Sequence, residues 1–451
     1  MSGYAEYREV NLPWLKAVPA HWEIRRNKNI FTEQKEIVGE RSADYTLLSL
    51  TLNGIIPRDM DGGGKFPESF DKYKIVKNGD MAFCLFDIDE TPRTVGLSGY
   101  NGMLTGAYTI MRVSNINARF IYYYYLALDN GKMLRPLYTG LRKTININTF
   151  QSTKVPVPPR KEQDQIVRFL DWKISSINKL INIKKKEIKA IDALKRSIVS
   201  HAITRGLTAD APMKYSGVKW LGDIPAHWKI TKLRQILHPV SEKNHPEFPL
   251  LSVVREQGVI LRDVEDKEAN HNFIPDDLSG YKVVRKGQFA MNKMKAWQGS
   301  YGVSDYTGIV SPAYFIFDIA FENLEYFHYA IRSKVYVNFF AQASDGIRVG
   351  QWDLQMDKMK EIPFIVPPAD EQIAIVKYIK QALPQYNAAI EKLTEEVAVL
   401  EEYKNKVIAD AVTGKIDVRG IEIPEYEFVD EDNDNVDENL EQGADEPPEE
   451  E

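Results

Sequence analysis

Residues 162–203 read EQDQIVRFLDWKISSINKLINIKKKEIKAIDALKRSIVSHAI, and residues 371–412 read EQIAIVKYIKQALPQYNAAIEKLTEEVAVLEEYKNKVIADAV. The two stretches align without a gap for 42 residues at an offset of 209, and neither contains glycine. Alternating steps of three and four residues pick out Val167, Leu170, Ile174, Ile177, Ile181, Lys184, Ile188, Ile191, Lys195, Ile198 and Ala202, of which nine of eleven are apolar. The same steps in the second stretch give Val376, Ile379, Leu383, Tyr386, Ile390, Leu393, Val397, Leu400, Lys404, Val407 and Ala411, ten of eleven nonpolar or aromatic. An apolar period of 3.5 residues is the coiled-coil pattern. Each helix would span about 60 Å at 1.5 Å per residue. Pro158-Pro159 and Pro367-Pro368 stand before the two starts, and Gly206 and Gly414 supply left-handed caps at the ends. Pro384 stands where the first stretch has Ser175, and is expected to kink the second helix or split it. Packing of each stripe on its own domain is the competing reading. The length and the shared register favour pairing with each other, and two-fold symmetry then makes the pair antiparallel.

The helices are the most regular part of a longer duplication. Pro-Ala-His-Trp occurs at 19–22 and 225–228, after Trp14-Leu15 and Trp220-Leu221. Gly96 to Tyr108 returns as Gly302 to Tyr314 with six identities in thirteen positions. Pro158-Pro159 with Glu162-Gln163 returns as Pro367-Pro368 with Glu371-Gln372. A period of 203 to 209 residues is the size of a domain plus a connector, far above the roughly 20–50 residues of a solenoid unit. Short β-type runs and Asn-Gly or Lys-Gly turns fill the remainder of each copy, so the fold class is α/β. The expected layout is a globular domain at 1–155, a helical region at 156–205, a second globular domain at 206–365, a second helical region at 366–415 and an acidic solvated tail at 416–451. An object with internal two-fold symmetry suits a two-fold ligand, duplex DNA above all.

Charge supports that ligand. The net charge of the 451 residues is −6, but residues 425–451 hold 14 acidic residues and no Lys or Arg. The remainder carries 58 basic against 64 − 14 = 50 acidic residues, a body of +8. The tail reads most simply as solvated; docking on a basic partner, or discouraging non-specific DNA binding, is the alternative. One cysteine, Cys84, excludes an intramolecular disulfide and fits a reducing cytoplasm. No signal peptide is evident at the N-terminus, and no run approaches the roughly 18 apolar residues of a membrane span.

In order and spacing these landmarks resemble the specificity subunit of type I restriction–modification systems, over nearly the whole chain. The resemblance rests on Trp14 to Trp22 and Met213 to Trp228, on Pro92 to Ser98, on Met291 to Tyr314, on Gly140-Leu141-Arg142 and Gly346-Ile347-Arg348, and on the two Pro-Pro-x-x-Glu-Gln helix starts. It implies two target-recognition domains, each followed by a long helix. It also implies a subunit without chemistry of its own, which reads two short half-sites separated by a fixed gap. Double-stranded DNA, two methylation subunits and restriction–translocase subunits are the implied partners. S-adenosylmethionine, ATP and Mg would be bound by those partners, with no cofactor on this chain. A specificity subunit for a combined cleavage–methylation enzyme is a variant of that reading. The alternative of another class is a duplicated coiled-coil scaffold that binds only proteins.

Phosphate contacts need Lys and Arg near loops, and base readout needs Arg, Lys, Asn or Gln at groove depth. The candidates are Arg58, Lys65, Arg93, Arg142 and Lys143 in the first copy, and Arg262, Lys293, Lys295, Gln298 and Arg348 in the second. Arg58 matches Arg262 and Arg142 matches Arg348, so these pairs suit a shared role such as a phosphate clamp or a structural ion pair. Trp297 could lie near a groove, although Trp is more often core. No catalytic set is expected. The Asn/Asp-Pro-Pro-Tyr/Phe motif of adenine methyltransferases is absent, and Asp61 to Phe66 lacks the hydroxyl residue of a phosphate loop. The seven histidines lack metal spacing, and His21 and His227 are expected to pack beside Trp22 and Trp228. If the helices set the distance between half-sites, four residues inserted near Lys185 move a helix end about 6 Å and change the gap by about one or two base pairs. Mapping of methylated sites checks this; an unaltered gap counts against it.

Overall fold

The computed structural model describes residues 2–58, 67, 69–138, 143–255, 257–263, 274–275, 277–348 and 351–431. The chain forms two compact units, one of residues 1–186 with 393–451, the other of residues 187–392. Each unit therefore contains part of both long helices, Arg160–Arg205 and Ala369–Val412.

The first unit is built on an antiparallel sheet in the order Phe31–Gln34, Thr109–Val113, Asp80–Phe83, Val95–Leu97. Strand alternation splits its side chains between two cores. Met81, Phe83 and Met111 face the larger one, shared with helix Ala118–Asn130, while Ala82 and Ile110 face a smaller one with Leu48, Val76 and Leu104. Asn117 caps that helix by accepting from the amides of Arg119 and Phe120. The tyrosine run within it is interior: Tyr123, Tyr124 and Tyr125 are buried, and Trp14 Nε1 donates to the Tyr124 hydroxyl at 2.8 Å. Among the described residues no helix is long and apolar enough to cross a membrane.

The second unit repeats the plan. Its sheet runs Leu237–Val240, Phe315–Ile319, Phe289–Met291, Tyr301–Val303. Phe289, Met291 and Phe317 face the larger core, and Ala290 and Ile316 the smaller one. A hairpin, Ser344–Arg348 with Gln351–Leu354, belongs to this unit.

Within each unit the helix segments run antiparallel. In the first, Ile166 and Leu170 pack with Val407 and Val412, Lys404 Nζ donates to Asn178 Oδ1 at 3.3 Å, and Lys184 pairs with Glu396. Numbers rise along one helix as they fall along the other. In the second, Ala202 and Ile203 pack with Ile375 and Val376, and Lys195 Nζ donates to Asn387 Oδ1 at 3.0 Å. The residues expected to form the seam are shielded from full exposure. Ile177, Ile181 and Val407 are buried, and Ile174, Ile188, Ile191, Ile198, Leu383, Ile390, Leu393, Val397 and Leu400 are half-buried. Of the two outcomes expected at Pro384, a kink or a split, the split does not occur: one helix runs from Ala369 to Val412 with the proline inside it. Proline removes one backbone hydrogen bond, and packing of Ile379 and Leu383 into the unit core holds the helix around that gap. A correction concerns the tail. Ile416 to Glu431 is an extended segment fastened to the first unit, with Val418 fully buried and Ile416, Ile421 and Ile423 packed against the core.

A carboxylate closes each unit at the start of its long helix. Glu162 is buried; its Oε1 accepts from Trp22 Nε1 at 2.8 Å and Tyr4 OH at 2.6 Å, and its Oε2 contacts His21 Nε2 at 2.8 Å. Glu371 accepts from Trp228 Nε1 at 2.9 Å and contacts His227. The end of the other helix arrives at the same tryptophan. A Cβ on Gly414 would stand 3.2 Å from Trp22, and one on Gly206 would stand 3.1 Å from Trp228. Both glycines have φ near +74°, a left-handed conformation that side chains disfavour.

One half-buried histidine, His328, couples the second unit to pH. His328 Nδ1 accepts from the Val303 amide at 3.3 Å. Burial, then the charge of Arg332, push its pKa down to about 4, against the pull of Asp305 and Glu325. As pH falls, the unfolded chain takes up this proton before the folded one, so stability declines between about pH 6.5 and 4, by roughly 3 kcal/mol. Thermal unfolding at pH 7, 5.5 and 4.5 checks this, and His328→Gln should flatten the dependence.

Candidate nucleic-acid interface

Loops at corresponding ends of the two sheets carry the candidate contacts. In the first unit these are the turn at 52–53, the loop 84–94 and the segment that follows helix Ala118–Asn130. Buried Asp129 gathers them. It accepts from Arg93 Nη1 at 3.2 Å, from the amide and hydroxyl of Thr94 at 3.0 and 2.6 Å, and from Lys132 Nζ at 2.9 Å. Arg93 also reaches Asn130 Oδ1 at 2.7 Å and the Leu52 carbonyl at 3.5 Å. It is only 15% exposed, so its guanidinium is committed to holding loops together. Asp89 does similar work nearby, accepting from Arg135 Nε at 2.8 Å and Tyr138 OH at 2.9 Å. Lys143 stands 3.6 Å from Asp89 and 3.4 Å from Glu90, with its backbone at φ +46°. Burial pushes the Cys84 thiol up, and Sγ donates to the Phe86 carbonyl at 3.3 Å, so the lone cysteine is a packed, unreactive group.

In the second unit the loop 292–300 packs on the hairpin of residues 344–354. The Leu354 amide donates to the Lys293 carbonyl at 3.2 Å, Lys293 Nζ lies 3.2 Å from Asp353, and Trp297 stacks on Trp352 with centroids 5.4 Å apart. Trp297 Nε1 is buried with no hydrogen-bond partner. Lys295 is exposed and Gln298 half-buried on the same short turn. Arg332, from the end of helix Leu324–Ile331, donates to the Arg255 carbonyl at 2.9 Å, fastening the turn that corresponds to residues 52–53.

Arg58 and Arg262 hold equivalent places: their amides donate to the carbonyls of Leu47 and Leu250, both at 2.9 Å. Lys65 and Arg142 lie outside the described residues. Arg348 ends the strand Ser344–Arg348 of the hairpin. Sequence reasoning missed Asp129 and Asp89, the acids that receive the candidate cations of the first unit, because their partners lie tens of residues away. It also missed Trp352, which only the fold brings to Trp297. Among the described residues no group of three or more His, Cys, Asp or Glu could hold a metal ion.

A duplicated sheet scaffold bearing dissimilar loops, each unit closed by paired helix segments, is the architecture of a two-domain DNA-specificity protein. Residues 70–190 match the family model described as the type I restriction modification DNA specificity domain. The type I restriction enzyme MjaVIII specificity subunit of Methanocaldococcus jannaschii is 23% identical over 446 residues, covering 92% of this chain and 98% of the relative. The putative MjaX specificity subunit of the same organism is 22% identical over 435 residues, covering 89% and 95%. A chain solved in a study of complex assembly and conformational transition of the type I R-M system shares the fold, with TM-score 0.55 at 13% identity over 88% of this chain and 99% of that one. Over most of its length the chain is similar to specificity subunits of type I restriction–modification systems, and residues 70–190 carry the match to their DNA specificity domain.

The buried acid of the first unit yields a sharp expectation. Asp129→Ala strands the cations of Arg93 and Lys132 in a shielded site and should cost about 2–4 kcal/mol of stability. Arg93→Ala should cost less, because Lys132 and Thr94 still serve the carboxylate. Thermal unfolding of both variants checks the order.

Proposed function

We propose that this chain reads a bipartite, non-palindromic duplex sequence, one half-site through the loops of each unit, and does no chemistry itself. It presents that site to methylation subunits, two of them, and to restriction–translocase subunits, in the cytoplasm. S-adenosylmethionine, ATP and Mg belong to those partners. The observation that carries the reading is the pairing of one repeated scaffold with two unlike loop sets. The sheets agree in strand order and in both cores, while a Trp stack in one unit stands against an Asp-centred ion-pair cluster in the other. A protein-only scaffold has no need of a basic body or of loops that diverge on a common frame.

Lys295 and Gln298 are the strongest reading candidates, because they share a short turn braced from behind by the stacked tryptophans. Lys295 suits a phosphate. Gln298 suits a base edge, where a bidentate contact is worth about 1–3 kcal/mol. In the assembled methyltransferase, Lys295→Ala should weaken DNA binding evenly across sequences and reduce the salt slope by about one. Gln298→Ala should relax one base position in one half-site and leave the other half-site intact. Methylome sequencing of cells carrying each variant with its methylation subunit reads the outcome. Loss at both half-sites, or an unaltered motif with both variants, defeats these assignments.

A further inference from the structure

Ser175, Asn178 and Asn182 line one face of the first long helix and are 2%, 5% and 5% exposed. At the same offset of 209 the second helix has Pro384, Asn387 and Glu391, all exposed. The contrast arises from the chain that follows the second helix. Gln165 Nε2 donates to the carbonyls of Val418 at 3.1 Å and Ile421 at 2.8 Å. Further along, Ser175 Oγ donates to the Glu427 carbonyl at 3.0 Å and accepts from the Val429 amide at 2.8 Å. Asn178 Nδ2 donates to the Val429 carbonyl at 3.2 Å, and Asn182 Nδ2 to the Asp430 carbonyl at 2.8 Å. The Glu431 carboxylate then sits between Lys185 Nζ at 2.7 Å and Lys404 Nζ at 2.6 Å, one lysine from each helix.

Two features mark this face as a recognition surface. The bonds from these Ser and Asn side chains to the strap go to its main chain, so they accept an extended segment of almost any sequence, as an added β-strand does. The lysine pair accepts only an acidic side chain at one place, which fixes register. Burial disfavours the Glu431 charge, but the hydrogen bonds and charges of Lys185 and Lys404 outweigh it and hold the carboxyl below its usual range, so the clamp is charged at neutral pH. Ser and Asn are poor helix-interior residues, and three of them on one buried face are explained by a ligand rather than by the helix. Tyr426 and Phe428 of the strap point their rings outward, 38% and 51% exposed, so apolar packing does little to hold residues 426–431.

We infer that this face of the first long helix is a peptide-binding groove for an extended segment that carries an acidic residue at the Lys185–Lys404 pair, with residues 427–431 of the same chain as its resident occupant. The second unit repeats the Lys–Asn bond, Lys195 to Asn387, but carries no Ser and Asn ladder and, among the described residues, no strap. The two units are thereby distinguishable to any partner that approaches their helices.

A chain ended after Gly420 and a fluorescent peptide of residues 421–431 test this directly. The peptide should bind the shortened chain saturably, more weakly as salt rises, and at least tenfold more weakly when it carries Glu431→Lys. Intact chain, its groove filled, should not bind it. Failure to bind a shortened chain of full helical content, or equal binding of the Glu431→Lys peptide, overturns the inference. Should the shortened chain lose helicity, the full-length variant Asn182→Ala with Lys185→Met decides. Chymotryptic cleavage at Tyr426 and Phe428 should quicken several-fold with the helices intact, and an unchanged rate overturns the inference.

Discussion

The carboxylates of Glu162 and Glu371 hold together parts of each unit that lie far apart in sequence. Each receives a buried tryptophan N–H from the start of its globular part, and that tryptophan is also touched by the glycine ending the other long helix. A helix start, a domain start and a helix end therefore meet at one point in each unit. The helix pairing depends on it. Two antiparallel segments with a narrow apolar seam have little to fix their axial register, because neighbouring registers present similar surfaces. A buried hydrogen-bonded acid is less forgiving. Sliding the helix by one turn would strip Trp22 and Tyr4 of their acceptor and leave a buried charge without donors.

What the sequence disclosed follows from how each signal is encoded. The long helices were legible because they are periodic and repeated, and repetition separates a constraint from an accident; Trp22, Trp228, Glu162 and Glu371 stood out as repeated landmarks, but only the fold pairs them. The antiparallel sense followed from symmetry alone. Arg93 shows the opposite case. Its chemistry suited DNA, and only the fold brings Asp129, 36 residues later, to its guanidinium at 3.2 Å. A charged side chain in isolation carries no mark of whether its counter-ion is a phosphate or a buried acid. The tail misled for a related reason. Its local composition favours solvation, and tertiary packing overrides that for residues 416–431.

Division of labour within each sheet explains why the loops can diverge. The strands carry two cores at once, one residue parity facing the helix and the other facing the smaller cluster. Any register slip would exchange the two sets, so the scaffold resists drift. The loops at its ends are stabilised locally instead, by the Asp129 cluster in one unit and by the Trp297–Trp352 stack in the other. Each device is self-contained, so one half-site reader can change without disturbing the sheet beneath it or the other unit.

The strap breaks a symmetry that the scaffold preserves, at small energetic cost. In the second unit the chain leaving the helix at Gly206 must continue into the strands of that same unit. In the first, the chain leaving at Gly414 lies back along the first long helix. A face that would otherwise be solvated needs only side-chain donors to retain it, and Ser175, Asn178 and Asn182 supply them. The lysine pair at Glu431 adds an interaction that salt weakens, where the buried Glu162 site is far less exposed to screening. The two carboxylates thus divide permanence from reversibility: one fixes the frame, and the other holds an arm that competing charge can release.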